Sequence, residues 1–475
     1  MIRRAQAWLA TWGPILPLLV AEATVWVGFG ALLPILPLYF TEHGIDLPTL
    51  GIVAAAWPAA NLIGAPLFGW LADRTSRKLM MVIGLLLSAA FTVGPLLIVT
   101  PLAFIALRAL AGLSAAIYDP AARGYLVDAN PPERQAETFG LYGSAQMGGL
   151  MIGPAIGGVA AAVTGQPTIV FWVAGATLLV SALVILVRVP EVRRTGSAVE
   201  ADDAGAPAPE HGTRETGAPG SGGMPRPTRL LNQLLVAAIA FNIGSYFAGG
   251  TYEVIWSLYL TSLGAGLDAI GLTFLSFGLP VMVLSPMLGR FIDRRGGFLA
   301  LVGGMAGIAL CGITYPLVPE VWFVVVVGVM EGTAFAFLSP ALFLLVSRAS
   351  PAGRSSTAQG LFGAAGTMGT IVASLAAGLL ADIHITYPFY VTGVGAMTAL
   401  LIGLAIGRRP LRDALQPAVV GGDDARRDGD ARLGGDAHAG GGESQGSDEL
   451  AQQSAGTPPP PSTGAATELE TGAEM

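Results

Sequence analysis

Over 475 residues, Asp, Glu, Lys and Arg make up only 12% of the chain, against 53% hydrophobic residues. That is about half the charge of a soluble domain, which excludes an ordinary soluble fold and requires apolar segments that meet lipid. The formal net charge of −7 comes largely from two polar stretches, so it marks no acidic folded surface, and nothing supports nucleic-acid binding. The single cysteine, Cys311, excludes an intramolecular disulfide. The four histidines stand apart in loops or tails, so no metal cluster or cofactor site is expected.

In chain order, an apolar stretch follows Arg3 and Arg4 and continues through "TVWVGFGALLPILPLYF" to residue 40. That length is expected to stay as a spanning helix rather than a cleaved leader. Apolar runs between short polar turns predict twelve spans, at 14–40, 47–72, 79–98, 102–126, 137–163, 168–190, 232–261, 268–291, 298–317, 321–346, 356–381 and 386–407. Runs of about 20 residues cross a hydrocarbon core of about 30 Å. Residues 191–230, rich in Gly, Pro, Ala and charge, read as a flexible cytoplasmic linker between two six-helix bundles, 1–190 and 231–407. Residues 408–475, with "GDDARRDGDARLGGDAHAGGGESQGS", cannot bury a core, so a disordered cytoplasmic tail is expected.

The turns at 41–46, 99–101, 164–167, 262–267, 318–320 and 382–385 hold no Lys or Arg; nearly all of the 25 cations fall on the other side. Positive loops stay in the cytoplasm. A multi-pass protein of the cell (inner) membrane with both termini cytoplasmic is therefore expected.

One of these cation clusters occurs twice. "FGWLADRTSRKLM" (68–80) has a second copy in "LGRFIDRRGG" (288–297), with Gly69, Asp73 and Arg74 matching Gly289, Asp293 and Arg294 at an offset of 220. The same offset pairs Gly112 with Gly332, Pro120 with Pro340, and Arg134 with Arg354. The chain is thus an internal repeat, and in repeats of this kind the substrate site lies between the halves near the bilayer midplane.

Gly-x-x-x-Asp-Arg-x-x-Arg-Lys between the second and third of twelve helices resembles the signature loop of the major facilitator superfamily. The resemblance covers about residues 14–407 and implies an all-α membrane fold of two pseudo-symmetric six-helix bundles. It also implies that Gly69 admits a close helix, and that Asp73, Arg77 and Lys78 latch the cytoplasmic side in the outward-open state, Arg77 reaching Asp128. The alternative is that the cations only anchor topology. Ser76 stands where the family usually has Gly, and Gly297 replaces the counterpart of Arg77.

In "GLYGSAQMGGLMIGPAIGG" (140–158), Gly149, Gly153 and Gly157 recur every four residues on one helix face, a spacing that lets helices pack backbone to backbone in lipid. Pro154 breaks one backbone hydrogen bond. The full string, Gly140 to Gly157-Gly158, resembles the antiporter motif of drug:proton exporters in this superfamily, which implies export. Helix packing without directional meaning is the alternative.

A charge at the centre of a span costs about 2.5–3.5 kcal/mol, so each survivor is a functional candidate. Glu22 is expected near the midplane, where one carboxyl can hold a proton or a cationic substrate but not both. Arg108 and Gly112 resemble the family's Arg-x-x-x-Gly motif, linked there to proton transfer, with Ala111 in place of the usual Gln; a pairing of Arg108 with Glu22 is one option. Glu331 and Glu253 are further candidates. Tyr252 and Trp256 either line a cavity for a flat cation or belong to an interfacial aromatic belt.

These features together predict a monomeric secondary transporter, not an enzyme, whose partners are a small molecule, protons and the lipid bilayer. Proton-coupled export of small lipophilic or cationic compounds is expected. The alternatives are an uptake symporter or facilitator of a small metabolite, and a non-transporting sensor with the same fold. The chain contains no Gly-x-x-x-x-Gly-Lys-Ser/Thr, so an ion gradient must drive the cycle.

Overall fold

The computed structural model describes residues 12–130, 134–191, 229–351 and 355–416. Most of the expected linker and the tail beyond 416 lie outside the described residues, where every regular element is helical. In chain order these are α1 (Leu16–Leu32), α2 (Leu36–Glu42), α3 (Leu47–Ala72), α4 (Arg77–Val93), α5 (Pro101–Ala129), α6 (Gln135–Thr164) and α7 (Ile169–Arg188). After the linker come α8 (Gln233–Ser262), α9 (Leu267–Arg295), α10 (Phe298–Thr314), α11 (Val321–Ala349), α12 (Ser355–Ile383) and α13 (Tyr387–Ala414). Eleven helices are long and apolar enough to cross a membrane, and α1 with α2, bent by 41°, makes a twelfth span. The bend falls at residues 33–35, where Pro34 cannot donate to the helix ladder.

Helix starts follow the local sequence. Asp46, Ser76, Thr100 and Asn232 each accept a backbone N–H of the first turn, capping α3, α4, α5 and α8. Ser76, the departure from the family's loop, is thus the cap of α4.

In the N-terminal half α1 packs on α6 and α7, α5 on α3 and α4, and α4 on α7. In the C-terminal half α8 packs on α12 and α13, α11 on α9 and α10, and α10 on α13. Contacts repeat at the offset of 220. Tyr39 donates to the Pro95 carbonyl and Tyr259 to the Tyr315 carbonyl, each at 3.0 Å. Gly112 lies against the Trp57 carbonyl as Gly332 lies against that of Phe277.

The halves meet through α3 with α12 and α6 with α9. A Cβ on Gly51 would lie 2.6 Å from the Ser374 carbonyl oxygen, and one on Gly158 would lie 2.8 Å from that of Leu267. Both crossings sit toward the cation-poor turns. One apolar cluster there joins Leu36, Tyr39, Phe40 and Leu50 to Val254, Tyr259, Leu260 and Phe389. The clusters toward the cation-rich end stay within one half each, the first within residues 12–189 and the second within 237–415. The bundles are closed on each other at the cation-poor end.

The last helix corrects the expected tail boundary at 408. After a turn at Gly407, α13 resumes and runs to Ala414. Leu411, Ala414 and Leu415 are buried in the C-terminal core, because their spacing places them on one helical face. Arg348 donates to the carbonyls of Ala414 and Gln416, and the Gly297 N–H to that of Leu415 at 2.8 Å.

Candidate substrate and proton site

A cavity of about 420 Å³ lies between the two halves, within the range of small-molecule sites. Phe29 and Met147 come from the N-terminal half; Tyr252, Trp256, Phe274, Phe277 and Phe335 come from the other. Two carboxylates, Glu253 and Glu331, interrupt this apolar and aromatic wall. Tyr252 and Trp256 therefore line the cavity rather than an interfacial belt. The Trp256 indole N–H is held by Thr273 Oγ1 at 2.9 Å, and the ring lies 5.2 Å from that of Tyr252.

Glu331, on α11, is 3% exposed. Its Oε1 accepts from the Tyr252 hydroxyl at 3.0 Å and its Oε2 from the Tyr315 hydroxyl at 2.6 Å. Among the described residues no cation pairs with it. Glu253, on α8, is held differently. Its Oε1 receives Arg108 Nη2 of α5 at 2.6 Å, and the two side chains are 16% and 10% exposed. The pair ties the two halves together. Arg108 thus pairs with Glu253, not with Glu22, a correction to the pairing entertained from sequence. Arg108 stands seven residues from the cation-poor start of α5 and Glu253 nine from the cation-poor end of α8, so they lie at one depth, whereas Glu22 lies toward the other end.

The second correction concerns Glu22 itself. It is 0% exposed and does not line the cavity. Trp26 Nε1 and Gln146 Nε2 donate to its Oε1 at 2.8 and 2.6 Å, and the Tyr118 hydroxyl donates to its Oε2. Those donors come from α1, α6 and α5, so the carboxylate is enclosed within the N-terminal half.

In the 69–78 loop, Arg77 Nε stands 2.9 Å from Asp128 Oδ2 and Arg77 Nη2 stands 3.4 Å from Asp73 Oδ1. The Arg74 guanidinium lies over the Trp70 ring, 3.8 Å from its centre. These partners all belong to the N-terminal half, as suits a structure closed at the opposite end. Lys78 is the second residue of α4. The tight approach expected of Gly69 is absent in this conformation: a Cβ there would meet Pro120 at an ordinary 3.6 Å. Gly289 has open space around it, Arg294 is exposed, and the Asp293 side chain lies outside what is described.

The α6 stripe seats α6 on α1. A Cβ on Gly153 would lie 2.5 Å from the Val27 carbonyl oxygen and 2.8 Å from Gly30 Cα, and Gly149 and Gly157 meet the carbonyls of Ala23 and Ala31. Gly158 instead faces α9 of the other half, where Gly271 in turn approaches the Pro154 carbonyl. Gly140 has nothing near it.

Sequence reasoning missed Tyr315, the cavity aromatics of α9, and two charges of α5, Asp119 and Arg123. Asp119 and Arg123 fell inside a predicted span and carried the same signal as Glu22. Tyr315 carried none, since its repeat position is Pro95.

Comparison with known proteins agrees with this architecture. The family model described as Major Facilitator Superfamily matches residues 18–252 and 234–428. The quinolone resistance protein NorA of Staphylococcus aureus (strain COL) is 23% identical over 376 residues, covering 77% of this chain and 89% of that one. Multidrug resistance protein 1 of Bacillus subtilis (strain 168) is 24% identical over 391 residues, covering 80% and 92%. A solved bacterial homologue of the human lysosomal transporter Spinster, inward-facing and occupied, shares the fold with a TM-score of 0.67 at 15% identity, over 85% of this chain and 98% of that chain. A D-xylose–proton symporter does so with a TM-score of 0.63 at 16% identity, over 82% and 96%. With both halves matched by one family model, and with twelve apolar spans in two repeats around a central cavity, this chain belongs to the Major Facilitator Superfamily of multi-pass membrane transporters.

Proposed function

We propose that this transporter exports small lipophilic, often cationic compounds in exchange for protons. The observation that carries the reading is the cavity. Its wall is apolar and aromatic, and its one carboxylate without a cationic partner among the described residues, Glu331, is held only by tyrosine hydroxyls. Such a wall favours flat, greasy cargo through stacking and cation–π contact, and offers a sugar or polar acid few partners. A bound cation and a proton compete for the same carboxylate, so loading one expels the other. The acid–cation role expected of Glu22 passes to Glu331.

Other features support the reading. Both relatives named above are resistance proteins, one toward quinolones and one toward multiple drugs. The long Gly-Pro string of α6 resembles that of the family's exporters. By cation asymmetry the termini are cytoplasmic, so the described conformation faces inward, ready to load. Rocking of residues 14–190 against 232–407 would open the other side, with the 69–78 loop latching the cytoplasmic end. Because both halves of one chain line the cavity, a monomer suffices.

The test is transport in proteoliposomes under an imposed pH gradient, followed with the fluorescent cation ethidium. Proton influx along its gradient should drive ethidium the opposite way, and Glu331→Gln should abolish this. Ethidium movement unaffected by the gradient, or unchanged in Glu331→Gln, would overturn the reading.

A further inference from the structure

Glu22 is buried in a half where the exchange at the cavity does not use it. Trp26 Nε1 and the Gln146 amide nitrogen can only donate, so the oxygen they meet stands as an acceptor. The repeat supplies a comparison. Position 22 corresponds to 242 at the offset of 220, and Asn242 makes the matching tie from α8 to α12, donating from Nδ2 to the Phe362 carbonyl at 2.8 Å. A neutral amide therefore suffices to join the first helix of a half to its fifth. Packing does not require the acid at position 22.

A path of polar groups leads from Glu22 toward the cation-rich end. Asp119, one residue beyond Tyr118, is half-buried; it lies within electrostatic reach of Glu22 and Arg123, and shares a hydrogen bond with Asn61 of α3. Tyr142 of α6 stands one turn nearer that end than Gln146. It is 3% exposed, its hydroxyl lies within reach of the Glu22 carboxylate, and it lies in the field of Glu22, Asp119 and Arg123 together. Arg123 is exposed. From α7, Ser181 is taken up by the Ala21 carbonyl at 2.9 Å. Among the described residues, the titratable groups that face Glu22 are Tyr118 and Asp119 from α5 and Tyr142 from α6, and Arg123 of α5 faces Asp119 and Tyr142.

The geometry points to a proton route inside the N-terminal half: Asp119 takes a proton from the cation-rich side and passes it through the Tyr142 hydroxyl to Glu22. Tyr142 Oη gives its own proton to Glu22 as it receives the one leaving Asp119. Glu22 becomes neutral, Asp119 returns to its anion, and no other bond changes. Trp26, Tyr118 and Gln146 are positioning residues. The route gives this half a proton-binding group separate from the cavity and needs no substrate.

Infrared difference spectroscopy of the purified full chain after a rapid drop from alkaline to mildly acidic medium tests it. Protonation appears as growth of a carboxylic C=O band. The part of that band lost in Glu22→Gln, separate from the part lost in Glu331→Gln, should grow at least about tenfold more slowly in Asp119→Asn and Tyr142→Phe, and should recover its rate in Asp119→Glu. If Asp119→Asn does not fold, Tyr142→Phe, which loses only a hydroxyl, carries the comparison. A band that never forms in the native chain, that Glu22→Gln leaves undiminished, or whose Glu22 part grows at the native rate in Tyr142→Phe overturns the route. Without substrate in the sample, that failure leaves the export reading standing, and failure of export leaves the route standing.

Discussion

Replacing Arg108 by Gln should loosen the closed end of the transporter. Arg108 and Glu253 meet at 2.6 Å from opposite halves, with side chains only 10% and 16% exposed. Removing one partner of a buried pair costs about 3–5 kcal/mol, because the remaining charge is left uncompensated. The residual exposure lowers this to about 2 kcal/mol, a shift of roughly thirtyfold in the ratio of closed to open states at about 1.4 kcal/mol per decade. The assay is the distance distribution between spin labels at His43 and Ser262, both exposed at the cation-poor end of their halves, in a Cys311→Ala background. Arg108→Gln should populate longer distances, and Arg108→Gln with Glu253→Gln should return most of the population to the native distance, since no charge is then stranded. An unchanged distribution in the single variant, or no recovery in the double variant, would refute the reasoning.

Three further outcomes follow from the packing and the cavity wall. Gly153→Val should cost about 1–3 kcal/mol and lower the melting temperature, because its Cβ would lie 2.5 Å from the Val27 carbonyl; Gly140→Val, with nothing within 4 Å, should leave the melting temperature unchanged. Trp256→Ala should weaken binding of an aromatic cation by about 0.5–2 kcal/mol, measured by titration calorimetry, while a neutral aliphatic ligand of similar size loses less. Arg348→Ala removes the donor to the Ala414 and Gln416 carbonyls, worth about 1.5–3 kcal/mol for a charged donor. Hydrogen exchange over residues 408–416 should therefore accelerate by at least about tenfold, with the rest of α13 unaffected.

The spans were legible because lipid leaves little choice: twelve apolar runs and the offset of 220 fix two bundles. The glycines of α6 were legible because spacing alone places them on one face, and α1 is the helix found there. The acids were harder. Depth in a span can be counted from sequence, and Glu22, Glu253 and Glu331 were all found that way. Depth does not say which way a side chain faces. Glu22 turns into its own half, toward Gln146 and Tyr118, whereas Glu331 turns to the cavity through contacts with Tyr252 and Tyr315, which lie far apart in sequence. The pairing of Arg108 with Glu253 joins residues 145 positions apart and depends on how the bundles close. The helical turn at 408–414 was obscured by composition: its Arg and Pro resemble the tail that follows, while Leu411 and Leu415 dock on the core.

The most direct measurement is proton release on substrate binding, read with a pH indicator in weakly buffered solution as tetraphenylphosphonium is added to the purified chain. If the cation displaces the proton on Glu331, binding to the native protein acidifies the medium, and Glu331→Gln either fails to bind or binds with no acidification. Binding of the cation without proton release in the native chain, or undiminished release in Glu331→Gln, would contradict exchange at that carboxylate.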